Sequence, residues 1–150
     1  MSSSSIHIKQ GLIAGFWATV VLSMIMVMKA MMGLMPNMNP IADIVHVFDM
    51  FTGMQAGMMV GWLGHFFIGT VAWGILYSLL VNKLPGGGLM KGLIFGAIAW
   101  MAMMVIFMPL AGQGFFGMKE GIMAMMATLM LHMVYGAVLG LVYAKLTAHR

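Results

Sequence analysis

The sequence predicts an all-α membrane protein of four transmembrane helices, arranged as two helical hairpins in parallel repeat, with a short interfacial helix between the first two. Composition is the first reason, because 63% of residues are hydrophobic and only 7% are charged, against about 25% charged in soluble domains. Length is the second, because four apolar stretches each approach the roughly 20 residues that cross a bilayer. The stretches are continuous rather than alternating, which excludes a β-barrel. They are Gly11–Met28, Gly57–Val81, Gly92–Met108 and Gly121–Ala144.

The basic residues predict the orientation of a single membrane domain that covers residues 1–150. Cytoplasmic loops attract Lys and Arg, and most basic residues flank the start of helix 1, the turn between helices 2 and 3, and the end of helix 4. These are Lys9, Lys83, Lys91, Lys145 and Arg150, whereas Lys29 and Lys119 lie toward the other side. We therefore expect both termini in the cytoplasm. The net charge of +4 reflects topology and lipid contact, so no nucleic-acid partner is expected.

Two matching sets of residues predict an internal duplication. Gly11 and Gly15 follow Lys9 in helix 1 as Gly92 and Gly96 follow Lys91 in helix 3. The order His, Gly, Gly, Tyr also occurs twice, as His65, Gly69, Gly74, Tyr77 and as His132, Gly136, Gly140, Tyr143. Both copies begin on the same side of the membrane, so the repeats are parallel. Repeat 1 covers about 9–81 and repeat 2 about 91–146.

Each predicted helix carries a Gly-x-x-x-Gly pair, a spacing that lets two helix backbones approach closely within lipid. The pairs are Gly11/Gly15, Gly57/Gly61, Gly92/Gly96 and Gly136/Gly140. They predict either a tight bundle or association with other membrane subunits or further copies of this chain. Packing within the bundle is the favoured interpretation.

The segment between helices 1 and 2 predicts an interfacial helix at about 40–52. Asn39-Pro40 is a helix-start signal, and the apolar side chains from Ile41 to Phe51 fall on one side of the helical wheel. Asp43 and His46 fall on the other side at i, i+3 spacing, which makes them a secondary candidate cation site. We expect instead that this polar face is solvated.

Methionine is unusually abundant, with 23 residues, and all except Met1 and Met90 lie in the outer halves of the helices or in outer loops. Thioethers and imidazoles are ligands for Cu(I), although methionine more often serves as apolar filler. Ionisable groups inside the membrane mark a functional site or a buried hydrogen bond. The candidate metal ligands that share helix faces are His65, His132, Met54, Met58 and Met125.

Three ligands suit the paired histidines: a metal ion, a b-type haem held from both sides, or a quinone head group. The alternative is that each imidazole only bonds a neighbouring helix. No catalytic residues are predicted, because the only acids are Asp43, Asp49 and Glu120 in outer loops, and cysteine is absent. We therefore do not expect an enzyme.

Four segments have a distinctive sequence: Gly61-Trp62-Leu63-Gly64-His65-Phe66 with Gly69, the run from Phe107 to Gly117, Gly33-Leu34-Met35-Pro36, and His132 with Tyr135 and Gly136. Together they resemble a group of small uncharacterised bacterial inner-membrane proteins. The resemblance covers nearly the whole chain. It implies four helices in a bacterial inner membrane, assigns no activity, and draws attention to the loop from Pro109 to Gly117 as a docking or lid element.

Taken together, these patterns predict an auxiliary protein of the inner membrane, a subunit or assembly partner of a larger membrane complex. The most specific function that we predict is the handling of Cu(I) by an outward-facing methionine-rich basin and two membrane histidines. The alternative is a small b-type cytochrome in which His65 and His132 ligate haem for electron transfer. The expected partners are the lipid bilayer and other membrane subunits.

Overall fold

A computed structural model describes residues 7–148, which form five helices and no strand within that range. Four are long and apolar enough to cross a membrane: α1 (Ile8–Met31), α3 (Met58–Lys83), α4 (Gly88–Leu110) and α5 (Ile122–Ala148). The fifth, α2 (Pro40–Thr52), connects α1 to α3. The predicted all-α fold of a multi-pass membrane protein is thus confirmed, and each predicted span lies within a few residues of a helix.

The four long helices are arranged so that α1 packs against both α3 and α5, and α5 packs in turn against α4. Few close backbone contacts join α3 to α4. With four spans, the start of α1, the α3–α4 turn and the end of α5 lie at one end of the bundle, which we call the terminal end. The opposite end, which carries α2, is the α2 end.

Glycines allow the helices of two pairs, α1 with α3 and α4 with α5, to pack closely together. A Cβ added at Gly15 would lie 2.8 Å from the carbonyl oxygen of Gly69, so α1 and α3 touch through their backbones. A Cβ at Gly92 would meet the carbonyl oxygen of Gly136 and lie 2.9 Å from the Cα of Gly140. Gly57 is different, because nothing lies within 4 Å of its added Cβ. The glycine surfaces of α1, α4 and α5 are therefore used inside this chain.

Two of the spanning helices contain a π-helical turn, at Ile68–Ala72 in α3 and at Met103–Phe107 in α4. A π-turn adds one residue to an α-helix. In α4 its cause is visible, because Pro109 lacks the N–H that would bond the carbonyl of Val105. In α3 the added residue falls between Gly69 and Gly74, which are five residues apart where the second predicted repeat has four. The duplication itself stays a prediction.

An aromatic cluster joins the helices in the half of the bundle toward the terminal end. Tyr77 is fully buried, and its ring meets Phe95 at 5.1 Å and Tyr143 at 5.2 Å between centroids, both edge to face. Trp73 meets Phe95 in the same way at 5.9 Å. Since Tyr77 and Trp73 belong to α3 and Phe95 to α4, these rings close the space between the two helices in this half.

The helix α2 forms as predicted, but its polar face is only partly solvated, because His46 is exposed whereas Asp43 is not. The Asn39 side chain accepts a hydrogen bond from the Ala42 N–H and caps the helix. Asp43 is buried, with only 6% of its surface exposed. The reason is the loop after α4, which folds over α2 and places the Gln113 amide 2.9 Å from the Asp43 carboxylate.

Candidate functional site

A central cavity of about 310 Å³ lies among all four spanning helices and reaches α2. Its wall is mostly aliphatic and aromatic, and Pro40 and Ile44 of α2 line it, so it occupies the half of the bundle toward the α2 end. Both π-turns contribute wall residues. The polar side chains of the wall, apart from the Trp73 indole, are Thr19, His65, Thr128, His132 and Tyr135.

His65 is held by a hydrogen-bond chain that runs along α1. The Ser23 hydroxyl donates to the carbonyl of Thr19 at 2.7 Å, which uses its only hydrogen. The Ser23 oxygen lies 3.0 Å from Nε2 of His65, so it accepts from Nε2–H. Because a neutral imidazole carries one N–H and one lone pair, Nδ1 of His65 keeps its lone pair.

His132 is anchored within its own helix. Its Nδ1 lies 2.8 Å from the carbonyl oxygen of Thr128, and because a carbonyl only accepts, Nδ1 is the donor. The lone pair is therefore on Nε2. The structure thus places both predicted histidines on the wall of one cavity, and each has one nitrogen anchored and one free to accept. Metal-ligating histidines have the same arrangement, with the second N–H donated to a protein group.

The π-turn of α3 shapes the wall next to these histidines. A π-turn interrupts the regular bonding of the backbone, and the Tyr135 hydroxyl of α5 donates to the carbonyl of Gly69 within the turn at 2.5 Å. Tyr135 is buried and lines the cavity. It therefore ties α5 to α3 across the cavity.

The predicted methionine ligands are not brought to this cavity. Met54 and Met58 are 60% and 47% exposed, and neither they nor Met125 line the wall. The thioethers on the wall belong to Met26 and Met103. Sequence reasoning missed Met26 although it lies one helical turn beyond Leu22 and Ser23, on the face of α1 that meets His65. Met103 begins the π-turn of α4, and Pro109 was the sequence signal that could have indicated this turn.

A second polar cluster lies at the α2 end, outside the spanning helices. Burial raises the pKa of Asp43, and the Gln113 hydrogen bond and the nearby His46 oppose that rise. Burial also raises the pKa of Glu120, helped by the charge of Asp43 and opposed by Lys29. One oxygen of each carboxyl is buried and has no hydrogen-bond partner among residues 7–148. Burial therefore opposes the ionisation of both groups.

Within residues 7–148, no further His, Asp or Glu side chain joins Asp43 and His46 to complete the predicted cation site. Across residues 7–148, no three His, Asp or Glu side chains are grouped so that they could hold a metal ion. Lys29 is also engaged, since its ammonium donates to the carbonyl of Met38 at 2.6 Å. This cluster ties α1, α2 and the loop after α4 together at the α2 end.

Comparison with known proteins identifies a family without an assigned activity. No curated protein and no solved structure matches the chain. The family model described as a family of unknown function, DUF6789, matches residues 6–150. The chain therefore belongs to the DUF6789 family.

Proposed function

We propose that this protein binds a small, largely apolar molecule in the cavity between its four spanning helices. The observation that carries the proposal is the cavity itself, with a volume of about 310 Å³, an apolar wall and two imidazoles. Small-molecule sites are concave, span about 300–1,000 Å³ and combine apolar walls with a few placed polar groups. His65 and His132 are the groups that orient the bound molecule.

The bilayer is the proposed source of this molecule. Residues of both α3 and α4 line the cavity, yet few close backbone contacts join these helices. The aromatic contacts of Phe95 with Trp73 and Tyr77 close their interface only toward the terminal end. A lipid-soluble molecule would therefore enter between α3 and α4 in the half of the bundle that carries α2.

A cavity-filling variant tests the proposal. Ala102 of α4 lines the cavity, whereas Ala97 of the same helix is exposed on the outside of the bundle. We expect native mass spectrometry of the protein, extracted in nanodiscs with its own lipids, to detect a bound small molecule. Ala102→Phe should lose it and Ala97→Phe should keep it. Equal retention by both variants would contradict binding in the cavity.

Copper(I) is the second candidate, and the thioethers of Met26 and Met103 on the same wall favour it. Cu(I) prefers soft sulfur and imidazole ligands, and two neutral imidazoles with anchored N–H groups are suitable donors. Because all these ligands are neutral, a monovalent ion would leave less charge inside the membrane than a divalent one. Copper analysis after reconstitution should show binding that His65→Ala and Met103→Leu abolish. Retention of the same copper content by both variants would count against this candidate.

A b-type haem between the histidines fits the cavity less well. No Lys or Arg is among the described residues that line the cavity, so the haem propionates would have no Lys or Arg partner there. The cavity volume also lies at the low end for ligand sites. We therefore rank haem below copper, and the absorption spectrum of the purified protein should contain no Soret band.

The proposed setting is a bacterial inner membrane with both termini in the cytoplasm and with other membrane subunits as partners. The basic residues near the terminal end support this orientation. Large apolar side chains cover the outside of the bundle, such as Trp17, Leu63 and Phe67, and meet either lipid or a partner. Reporter fusions at each terminus and crosslinking in native membranes test these two points.

A further inference from the structure

The hydrogen-bonding groups on the cavity wall indicate which chemical class of ligand fits the cavity. This inference rests on the proposed small-molecule function. We propose that the cavity selects a lipid-soluble phenol or hydroquinone, a molecule that donates hydrogen bonds, over the corresponding quinone, which only accepts them. The wall offers acceptors because almost all of its own polar hydrogens are used within the protein.

The hydroxyl groups of the wall donate to backbone carbonyls. Thr19 donates to Gly15 at 2.7 Å, and Thr128 donates to Met125 at 2.8 Å. Tyr135 donates to Gly69 at 2.5 Å. Each hydroxyl has a single hydrogen, so none of the three retains one for a ligand.

Both imidazole hydrogens are used in the same way. Nε2–H of His65 donates to Ser23, and Nδ1–H of His132 donates to the carbonyl of Thr128. What remains is one lone pair on each ring, and both rings belong to residues that line a cavity whose wall is mostly apolar. The indole of Trp73 is the one wall group with an N–H that bonds no other described residue.

Two lone pairs discriminate between the reduced and oxidised forms of a quinone-type ligand. A hydroxyl of a hydroquinone that reaches either imidazole can donate to its lone pair. A quinone carbonyl in the same place would face that nitrogen with lone pairs on both sides, and leaving a buried polar group without a partner is unfavourable. Sites built to hydrogen-bond a hydroxyl reject analogues that lack it more strongly than apolar contacts can. We therefore expect at least a tenfold preference for the reduced form.

Three probes of similar shape test the preference on the unaltered protein in nanodiscs under anaerobic conditions. They are tetramethylhydroquinone, its quinone and its dimethyl ether, which keeps the ring but has no hydrogen to donate. Calorimetry should show the hydroquinone binding at least tenfold more tightly than either analogue. His65→Phe and His132→Phe should each reduce that preference, whereas His46→Phe, a change at an exposed histidine outside the cavity, should not.

The outcomes separate this inference from the proposed function. Equal or tighter binding of the quinone or the ether would overturn the hydroquinone preference. If Ala102→Phe still blocked those probes, binding in the cavity would stand. If Ala102→Phe blocked no probe, binding in the cavity would fail as well. The three-probe comparison uses the unaltered protein, so it remains decisive even if a histidine variant misfolds.

Discussion

The contact between α4 and α5 leads to a quantitative prediction for Gly92→Ala. The added methyl group would meet the carbonyl oxygen of Gly136 and lie 2.9 Å from the Cα of Gly140. Overpacking costs about 1–3 kcal/mol, and here the upper end applies because backbone atoms cannot rotate aside. The higher helix propensity of alanine returns about 1 kcal/mol at most. We expect a net loss of about 2 kcal/mol in the free energy of unfolding.

Gly57→Ala is the matched control, because Gly57 belongs to the same sequence motif but has nothing within 4 Å of its added Cβ. Its φ of −85° also suits alanine. Titration of the detergent-solubilised protein with sodium dodecyl sulfate, followed by tryptophan fluorescence, measures both free energies. The control should change by about 0.5 kcal/mol or less. If Gly92→Ala is no less stable than Gly57→Ala, the close packing described for α4 and α5 is wrong.

Three further changes test separate contacts. Tyr135→Phe removes the hydrogen bond to the Gly69 carbonyl and should lower the free energy of unfolding by about 1 kcal/mol. The rate of amide hydrogen exchange around Gly69 should rise, and an unchanged rate would contradict the proposed link between α5 and α3. Ser23→Ala leaves Nε2–H of His65 without an acceptor, and a loss of about 1–3 kcal/mol is expected. The raised pKa of Asp43 means that its contribution to stability is largest at low pH and is lost as pH rises through the unfolded and then the folded pKa. Asp43→Asn should flatten the pH dependence of thermal unfolding, and a profile identical to that of the unaltered protein would exclude this role.

The fold could be predicted because the bilayer imposes strong constraints on sequence. Spans of continuous apolar residues, the Asn39-Pro40 helix start and the glycine spacing all carry their signal locally, and the observed helices follow them. The sequence could not show which glycines touch a neighbour, since Gly57 and Gly92 share a motif but have different surroundings. That difference depends on how the helices are arranged around one another.

The candidate site was only partly predictable for the same reason. His65 and His132 are conspicuous because an imidazole inside a span needs an explanation, and both line one cavity. The methionines were less informative, since the side chains that reach the wall depend on helix rotation and on the π-turn at Met103–Phe107. The burial of Asp43 depends on Gln113, 70 residues away, and periodicity within α2 carries no information about that contact.

The central claim is that the cavity between the four helices holds a small molecule against His65 and His132. The most direct measurement is solid-state NMR of the histidine ring nitrogens, with labelled protein in its native lipids before and after lipid-soluble molecules are extracted. We expect the signals of the unprotonated nitrogens, Nδ1 of His65 and Nε2 of His132, to change chemical shift on extraction while those of the anchored N–H groups stay in place. Unchanged signals for both unprotonated nitrogens would contradict it.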